Sequence, residues 1–278
     1  MGRLFIMNIQ ASDNLLKTVA NQDRPNRNGC TVLVLGASNV SLAWSEIVSL
    51  VVQSFHGPID LVTAQGMGRA YVTASSGFAF CRLPGILHSG LWDAFSDFRS
   101  DQIPSALITD LGNDLLYGRS VSEVVNGAIE CIHRIRKWNG STDIVLTLPP
   151  VESVLSLNGI RFGVMKRLLF PFSPLDLSQV KRATQNLFDG LQQVAADQDV
   201  QLYAAPQYSF GFDPIHVRRR YRREVFSDML SQWGQPPCST VQWKRFRKVV
   251  PQVRQVLKQE RRHAQPVVIS KQLRIFAY

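Results

Sequence analysis

Thr31–Trp44 reads TVLVLGASNVSLAW, and it opens on an unbroken aliphatic and β-branched run, Val32, Leu33, Val34 and Leu35, that stops at Gly36. Such a run leaves no position for solvent, which is how a strand buried on both faces of a parallel sheet reads. Beyond the glycine, Val40, Leu42, Ala43, Ile47, Val48 and Leu50 recur at helical spacing. The order is therefore strand, sharp turn, helix. Ser38 and Asn39 fall in the turn, which puts Ser38 at a helix N-terminus, where unpaired amides and the helix dipole favour negative charge. That position suits a phosphate or, equally, a serine oxygen whose attack generates an oxyanion.

Outward from this stretch, strands and helices alternate. Ile59–Ala64 (IDLVTA) reads as the second strand. It is followed by QGMGRAYVTASSG, where Gly66 and Gly68 let backbone amides approach a ligand closely. A helix is expected within Arg82–Arg99, with Leu91, Trp92, Phe95 and Phe98 as its apolar face. Ser105–Leu111 is the third strand, ended by Gly112, Asn113 and Asp114. A helix over Val121–Trp138, a strand over Ile144–Leu148, a helix over Leu177–Val194 and a short strand over Gln201–Ala204 follow. Val151–Pro174 has no clear periodicity and is expected to be a loop or lid. Pro206–Asp213 reads as a loop, and Pro214 as the start of a helix that carries the arginines after it. This alternation implies an α/β fold with a mainly parallel sheet covered on both faces. Ligands of such sheets bind at the carboxyl ends of the strands, the edge that carries Ser38, Gly68 and Asn113.

With 278 residues and 45% hydrophobic content, the chain can bury one large core. The expected division is an N-terminal extension (1–29), ending in the polar NQDRPNRNG, a main domain (30–233) and a basic C-terminal extension (234–278). Cys30, Cys81, Cys131 and Cys238 show no C-x-x-C pair and no neighbouring histidine cluster, which argues against a zinc site or a disulfide framework and for a reducing compartment. The apolar run Leu4–Met7 is too short for a signal peptide, and no run is long enough to span a bilayer, so a cytoplasmic protein is expected. The net charge of +10 is concentrated in Arg218–Arg223 and in Lys244–Arg262. The ordinary reading is a solvated basic face. No nucleic-acid motif accompanies it, so specific nucleic-acid binding is not expected. Val241–Arg262 reads as an amphipathic helix that docks on the domain or makes weak contact with an anionic membrane surface.

Four chemical types lie in order along the ligand-binding edge. Ser38 is a candidate nucleophile, Gly68 (or Gly66) a backbone donor, Asn113 an amide donor, and Asp213 with His216 an orienting acid and a general base. Acyl transfer needs this set. Each residue also has a plain explanation: Ser38 or Asn39 as a helix cap, Gly68 as a turn, Asn113 as a loop residue, Asp213 as an N-cap before Pro214. Gly-x-Ser near the start, a glycine after the second strand, Asn-Asp after the third and Asp-x-x-His near the end together resemble the SGNH or GDSL-type hydrolases, over roughly Thr31–Trp233. The resemblance implies a three-layer α/β/α sandwich with flavodoxin-like strand order. It also implies hydrolysis of small-molecule, lipid or sugar esters or thioesters without a metal or organic cofactor. By the same resemblance, Ser38, Asp213 and His216 are the triad, and the Ser38 amide, Gly68 and Asn113 form the oxyanion hole. Ala37 stands where the family usually has Asp, Asn39 where Leu is common, and Leu111 where a glycine is expected. A non-catalytic SGNH-like binding module is the alternative. A dinucleotide-binding oxidoreductase fits less well, because Asn39, Val40, Ser41 and Leu42 occupy the places of the glycines it needs. Arg69, beside Gly68, is expected on an exposed loop or facing an anionic substrate group.

Overall fold

The computed structural model describes residues 29–234 and 249–278. Strand β1 (Cys30–Leu35) is buried at all of its positions, as its uninterrupted apolar sequence requires. Helices α1 (Ser38–Leu42) and α2 (Trp44–Ser54) follow, then β2 (Ile59–Ala64). A hairpin comes next, β3 (Ser75–Phe78) and β4 (Cys81–Pro84), before β5 (Ser105–Ile108). The short α3 (Asn113–Leu116) leads to α4 (Val121–Trp138) and β6 (Asp143–Thr147). Helices α5 (Val151–Leu155), α6 (Gly159–Leu169) and α7 (Leu177–Gln198) precede β7 (Gln201–Tyr203) and α8 (Arg222–Ser231). The chain closes with β8 (Val253–Val256), β9 (Gln259–Arg262), β10 (Val268–Ile269) and β11 (Leu273–Ala277).

The central sheet has the order β10-β11-β2-β1-β5-β6-β7, and all its pairings are parallel except β10 with β11. Its first five parallel strands in chain order run 2-1-3-4-5, the flavodoxin-like winding. One apolar cluster packs α2 and α8 on one face of the sheet, through Ile47, Val48, Val51, Val225, Phe226 and Met229. The other packs α4 and α7 on the opposite face, through Val124, Ala128, Ile132, Leu187 and Leu191. Both helices of this second layer start in full capping boxes, Ser120 with Glu123 and Asp176 with Gln179, so their first turns are fixed by local sequence.

Several sequence expectations need correction. Arg82–Arg99 is not one helix. It holds the end of β4 and two 3₁₀ turns, Ile86–His88 and Asp93–Asp97, because Leu91, Phe95 and Phe98 are buried as single anchors rather than as a helical stripe. Val151–Pro174 is largely helical. No residue of α6 is buried, so it lacks the core-facing stripe from which a helix is read. Pro214 does not start a helix: α8 begins at Arg222, after a 3₁₀ turn over Arg219–Tyr221. The arginine block is also less outward-facing than expected. Arg222 donates to the carbonyls of Leu42 and Val217, and Arg223 donates to Gln53.

The chain beyond Trp233 does not lie wholly outside the domain. β11 pairs with β2 along Leu273–Ala277 and buries Leu273, Ile275 and Ala277. Where Val253–Arg262 was expected to be helical, β8 and β9 join the β3–β4 hairpin in a second sheet, ordered β3-β4-β8-β9. Residues 241–248 of that expected helix lie outside the described residues, as do 1–28 and Cys238. Cys30, Cys81 and Cys131 are free thiols. Among the described residues, no helix is long and apolar enough to cross a membrane.

Candidate active site

Gly36 ends β1 because nothing larger fits: a Cβ there would lie 2.4 Å from the Val40 side chain and 2.8 Å from that of Thr109. The turn it permits delivers Ser38 as the first residue of α1. Neither Ser38 nor Asn39 caps this helix. The cap comes from across the sheet edge, where Asp110 Oδ2 accepts from the amides of Ala37 (2.9 Å) and Asn39 (3.0 Å). A carboxylate thus occupies the amides that a pyrophosphate would need, which removes the dinucleotide reading at this turn. Asp110 adopts φ +64°, a left-handed conformation that Asp tolerates better than most residues.

The triad candidates come from the first and last of these edge loops. Ser38 Oγ lies 2.7 Å from His216 Nε2, and His216 Nδ1 lies 2.5 Å from Asp213 Oδ2. The other Asp213 oxygen accepts from the amides of Ile215 (3.0 Å) and His216 (3.2 Å), which fixes the loop that carries the histidine. With Nδ1 protonated and directed at the carboxylate, Nε2 presents its lone pair to the serine hydroxyl. Burial alone would raise the Asp213 pKa. The hydrogen bond and charge of His216, together with the two amides, outweigh it and hold the carboxyl below its usual range.

A folded-state pKa below the unfolded value has a definite sign. The stabilisation from Asp213 is fully present above the ordinary carboxylate range and is lost as pH falls through the lower, folded value. The melting temperatures of wild type and Asp213→Asn should therefore differ at neutral pH and converge as pH falls below that of a free carboxylate. A gap that stays constant down to the acid limit would show that the carboxylate charge contributes nothing.

The glycine loop and the third-strand loop are knitted together. Asn113 is buried, and its Nδ2 donates to the Arg69 carbonyl at 3.0 Å. Asp114, fully buried, accepts from the amides of Tyr71 (2.6 Å), Val72 (3.1 Å) and Thr73 (2.9 Å) and from the Thr73 hydroxyl (2.9 Å). Gly68 sits at φ +66°, and a Cβ there would come within 2.8 Å of the Gly77 carbonyl. Its own carbonyl accepts from the Tyr117 hydroxyl at 2.6 Å. Gly66 is also constrained, since a Cβ would meet the Leu83 side chain at 2.1 Å. Ser38 and Asn113 line a cavity at this edge, whereas Gly66 and Gly68 are not among its lining residues.

Arg69 is neither exposed nor facing a substrate. It is fully buried and donates to the carbonyls of Pro84 (2.9 Å) and Gln65 (3.2 Å) and to the main-chain oxygen of Tyr278. Burial pushes its pKa down to about 9, so it remains a cation at neutral pH and pins the end of β11 beneath the glycine loop. Sequence reasoning missed two residues of the site, Asp110 and Asn39. Asn39 Nδ2 donates to Asp110 Oδ1 (2.8 Å) and to the Ile215 carbonyl (2.9 Å), while its Oδ1 accepts from the Val217 amide (2.9 Å). The available signal was an acid closing an apolar strand, with an amide one residue past the serine. Among the described residues, no three His, Cys, Asp or Glu side chains gather where a metal ion would be held.

No protein-family model and no curated protein matches the sequence. Solved structures do match. The inhibitor-bound aryl esterase of M. smegmatis aligns with 73% of this chain and 98% of its own at a TM-score of 0.50 and 11% identity. A psychrotrophic esterase from Pseudoalteromonas sp. aligns with 73% of this chain and 97% of its own at 0.44 and 16% identity. A lipolytic G-D-S-L family member from Veillonella parvula DSM 2008 aligns with 72% and 95% at 0.43 and 10% identity. The chain has the α/β fold of the SGNH or GDSL-type hydrolases, a fold that ester hydrolases share.

Proposed function

We propose that the protein is a serine esterase acting through an acyl-enzyme, with Ser38 as nucleophile, His216 as general base and Asp213 as its orienting acid. The observation that carries this reading is the continuous chain from Ser38 Oγ through both His216 nitrogens to Asp213, at 2.7 and 2.5 Å. As Ser38 Oγ attacks the ester carbonyl carbon, His216 Nε2 takes the hydroxyl proton, and Asp213 stabilises the imidazolium that forms. The carbonyl oxygen becomes an oxyanion, for which the Ser38 amide and the second N–H of Asn113 Nδ2, both from residues that line the cavity, are the donors. The imidazolium then protonates the leaving alcohol, the C–O bond breaks, and the acyl group stays on Ser38. Water, deprotonated by the same nitrogen, releases it as a carboxylate.

A serine-directed phosphonate tests this directly. Intact-mass analysis should show one adduct on the wild type, mapped to Ser38 by peptide sequencing, and none on Ser38→Ala. If the wild type takes up no phosphonate and hydrolyses no activated ester, the chain is a non-catalytic module on a hydrolase fold.

A further inference from the structure

The cavity at Ser38 leaves about 110 Å³ for the centres of water-sized groups. It runs beneath α7, whose Val180, Thr184 and Leu187 form one wall, to Leu115 and Leu148. Among the described residues, Asp110 is the one charged residue lining it. That carboxylate is already engaged by the Ala37 and Asn39 amides and by Asn39 Nδ2. The deep hydroxyls of Thr109 and Thr147 bond each other at 2.8 Å. A charged acyl group would meet no opposite charge there among the described residues and would lose its water.

A second space of about 50 Å³ adjoins the first, and Leu116, Val154, Val180 and Ile215 line both. Phe162, Met165 and Leu169 of α6 roof it. Among the described residues its one cation is Lys166, which donates to the Leu175 carbonyl at 2.7 Å. Arg161 ties the same helix to the carbonyls of Gly211 (2.8 Å) and Phe212 (3.0 Å), just ahead of Asp213. Together the two spaces far exceed what one water-sized group needs, so a chain of several methylenes rather than an acetyl group would fill them.

We propose that the two spaces form one acyl site, and that the esters cleaved are those of unbranched, uncharged aliphatic acids of medium chain length. The carbonyl sits at Ser38, the first methylenes fill the larger space, and the chain end passes the Val154–Val180 neck under α6. This inference rests on the serine esterase reading for its catalytic test, but not for its binding test.

The catalytic test is a p-nitrophenyl ester series from acetate to palmitate, each below its micellar concentration. kcat/KM should rise by about 100-fold or more from acetate to decanoate, since each buried methylene contributes several-fold, and should level off beyond dodecanoate. Val180→Phe at the neck and Met165→Trp under the roof should each cut the decanoate-to-butyrate ratio at least tenfold. The second variant covers the case in which the first fails to fold. Hydrolysis that is fastest with acetate and falls with chain length overturns the acyl site while leaving the esterase reading intact.

The binding test uses Ser38→Ala, which needs no turnover. Millimolar sodium decanoate should raise its melting temperature, acetate should not, and Met165→Trp should remove the effect. Equal behaviour of decanoate and acetate overturns the proposal even if no ester is ever cleaved.

Discussion

Ser38→Ala and His216→Ala are each expected to lower kcat for an activated ester by on the order of 10⁴- to 10⁶-fold, and the double variant to be no slower than either alone. The reason is geometric. Ser38 and His216 share one hydrogen bond of 2.7 Å, and in the proposed mechanism the serine proton passes to Nε2. With either partner gone the attack has no base or no nucleophile, so removing the second costs nothing further. What remains in all three variants is substrate binding and the oxyanion donors, which do not depend on the triad. Asp213→Asn should cost less, because its amide keeps the ring in place while no longer stabilising the imidazolium. Steady-state and single-turnover rates on the four proteins measure this. Losses that multiply in the double variant, or a Ser38→Ala loss below about 100-fold, would mean that the serine and histidine do not act as a unit.

Much of this site is visible in the sequence because its parts sit at the ends of strongly apolar strands. β1, β2, β5 and β6 are buried almost throughout, so their runs have no ambiguous phase, and β1, β2 and β5 each end in a loop that carries a candidate site residue. What the sequence hides are elements with no buried face of their own. β9 is exposed at all of its positions, and α6 has no buried residue, so neither carries a periodic pattern. β11 is a different case: its alternation of buried Leu273, Ile275 and Ala277 with Arg274 and Phe276 is a half-buried strand pattern, masked by the basic stretch before it. The Arg69 environment was hidden for another reason. The acceptors that make burial of a guanidinium tolerable are main-chain oxygens far apart in sequence, Gln65, Pro84 and Tyr278, and these leave no side-chain signature.

Asn39 leads to the second large effect. It stands next to Ser38, the proposed nucleophile, and its amide reaches both residues that flank His216 in sequence, the Ile215 carbonyl and the Val217 amide. The same amide is held by Asp110, which also fixes the start of α1. One side chain therefore sets the position of the histidine loop relative to the serine helix, across 178 residues of sequence. Replacing it with leucine, common at this position in the resembled family, removes three hydrogen bonds and takes this partner from the Ile215 carbonyl, the Val217 amide and one Asp110 oxygen. A misplacement of about 1 Å between nucleophile and base is worth on the order of 100-fold in rate. Asn39→Leu should therefore lower kcat about 100-fold with little change in KM, since Asn39 positions the reacting groups. Asp110→Asn should do the same by a different route: its amide turns a donor toward Asn39 Nδ2, and the neutral side chain gives a weaker cap for the Ala37 and Asn39 amides. Because both act on one clamp, the double variant should lose far less than the product of the two single losses. Melting temperature separates this from general damage. If each kcat loss merely tracked the fraction unfolded at the assay temperature, or if KM rose while kcat held, the clamp would not be what sets the serine–histidine geometry.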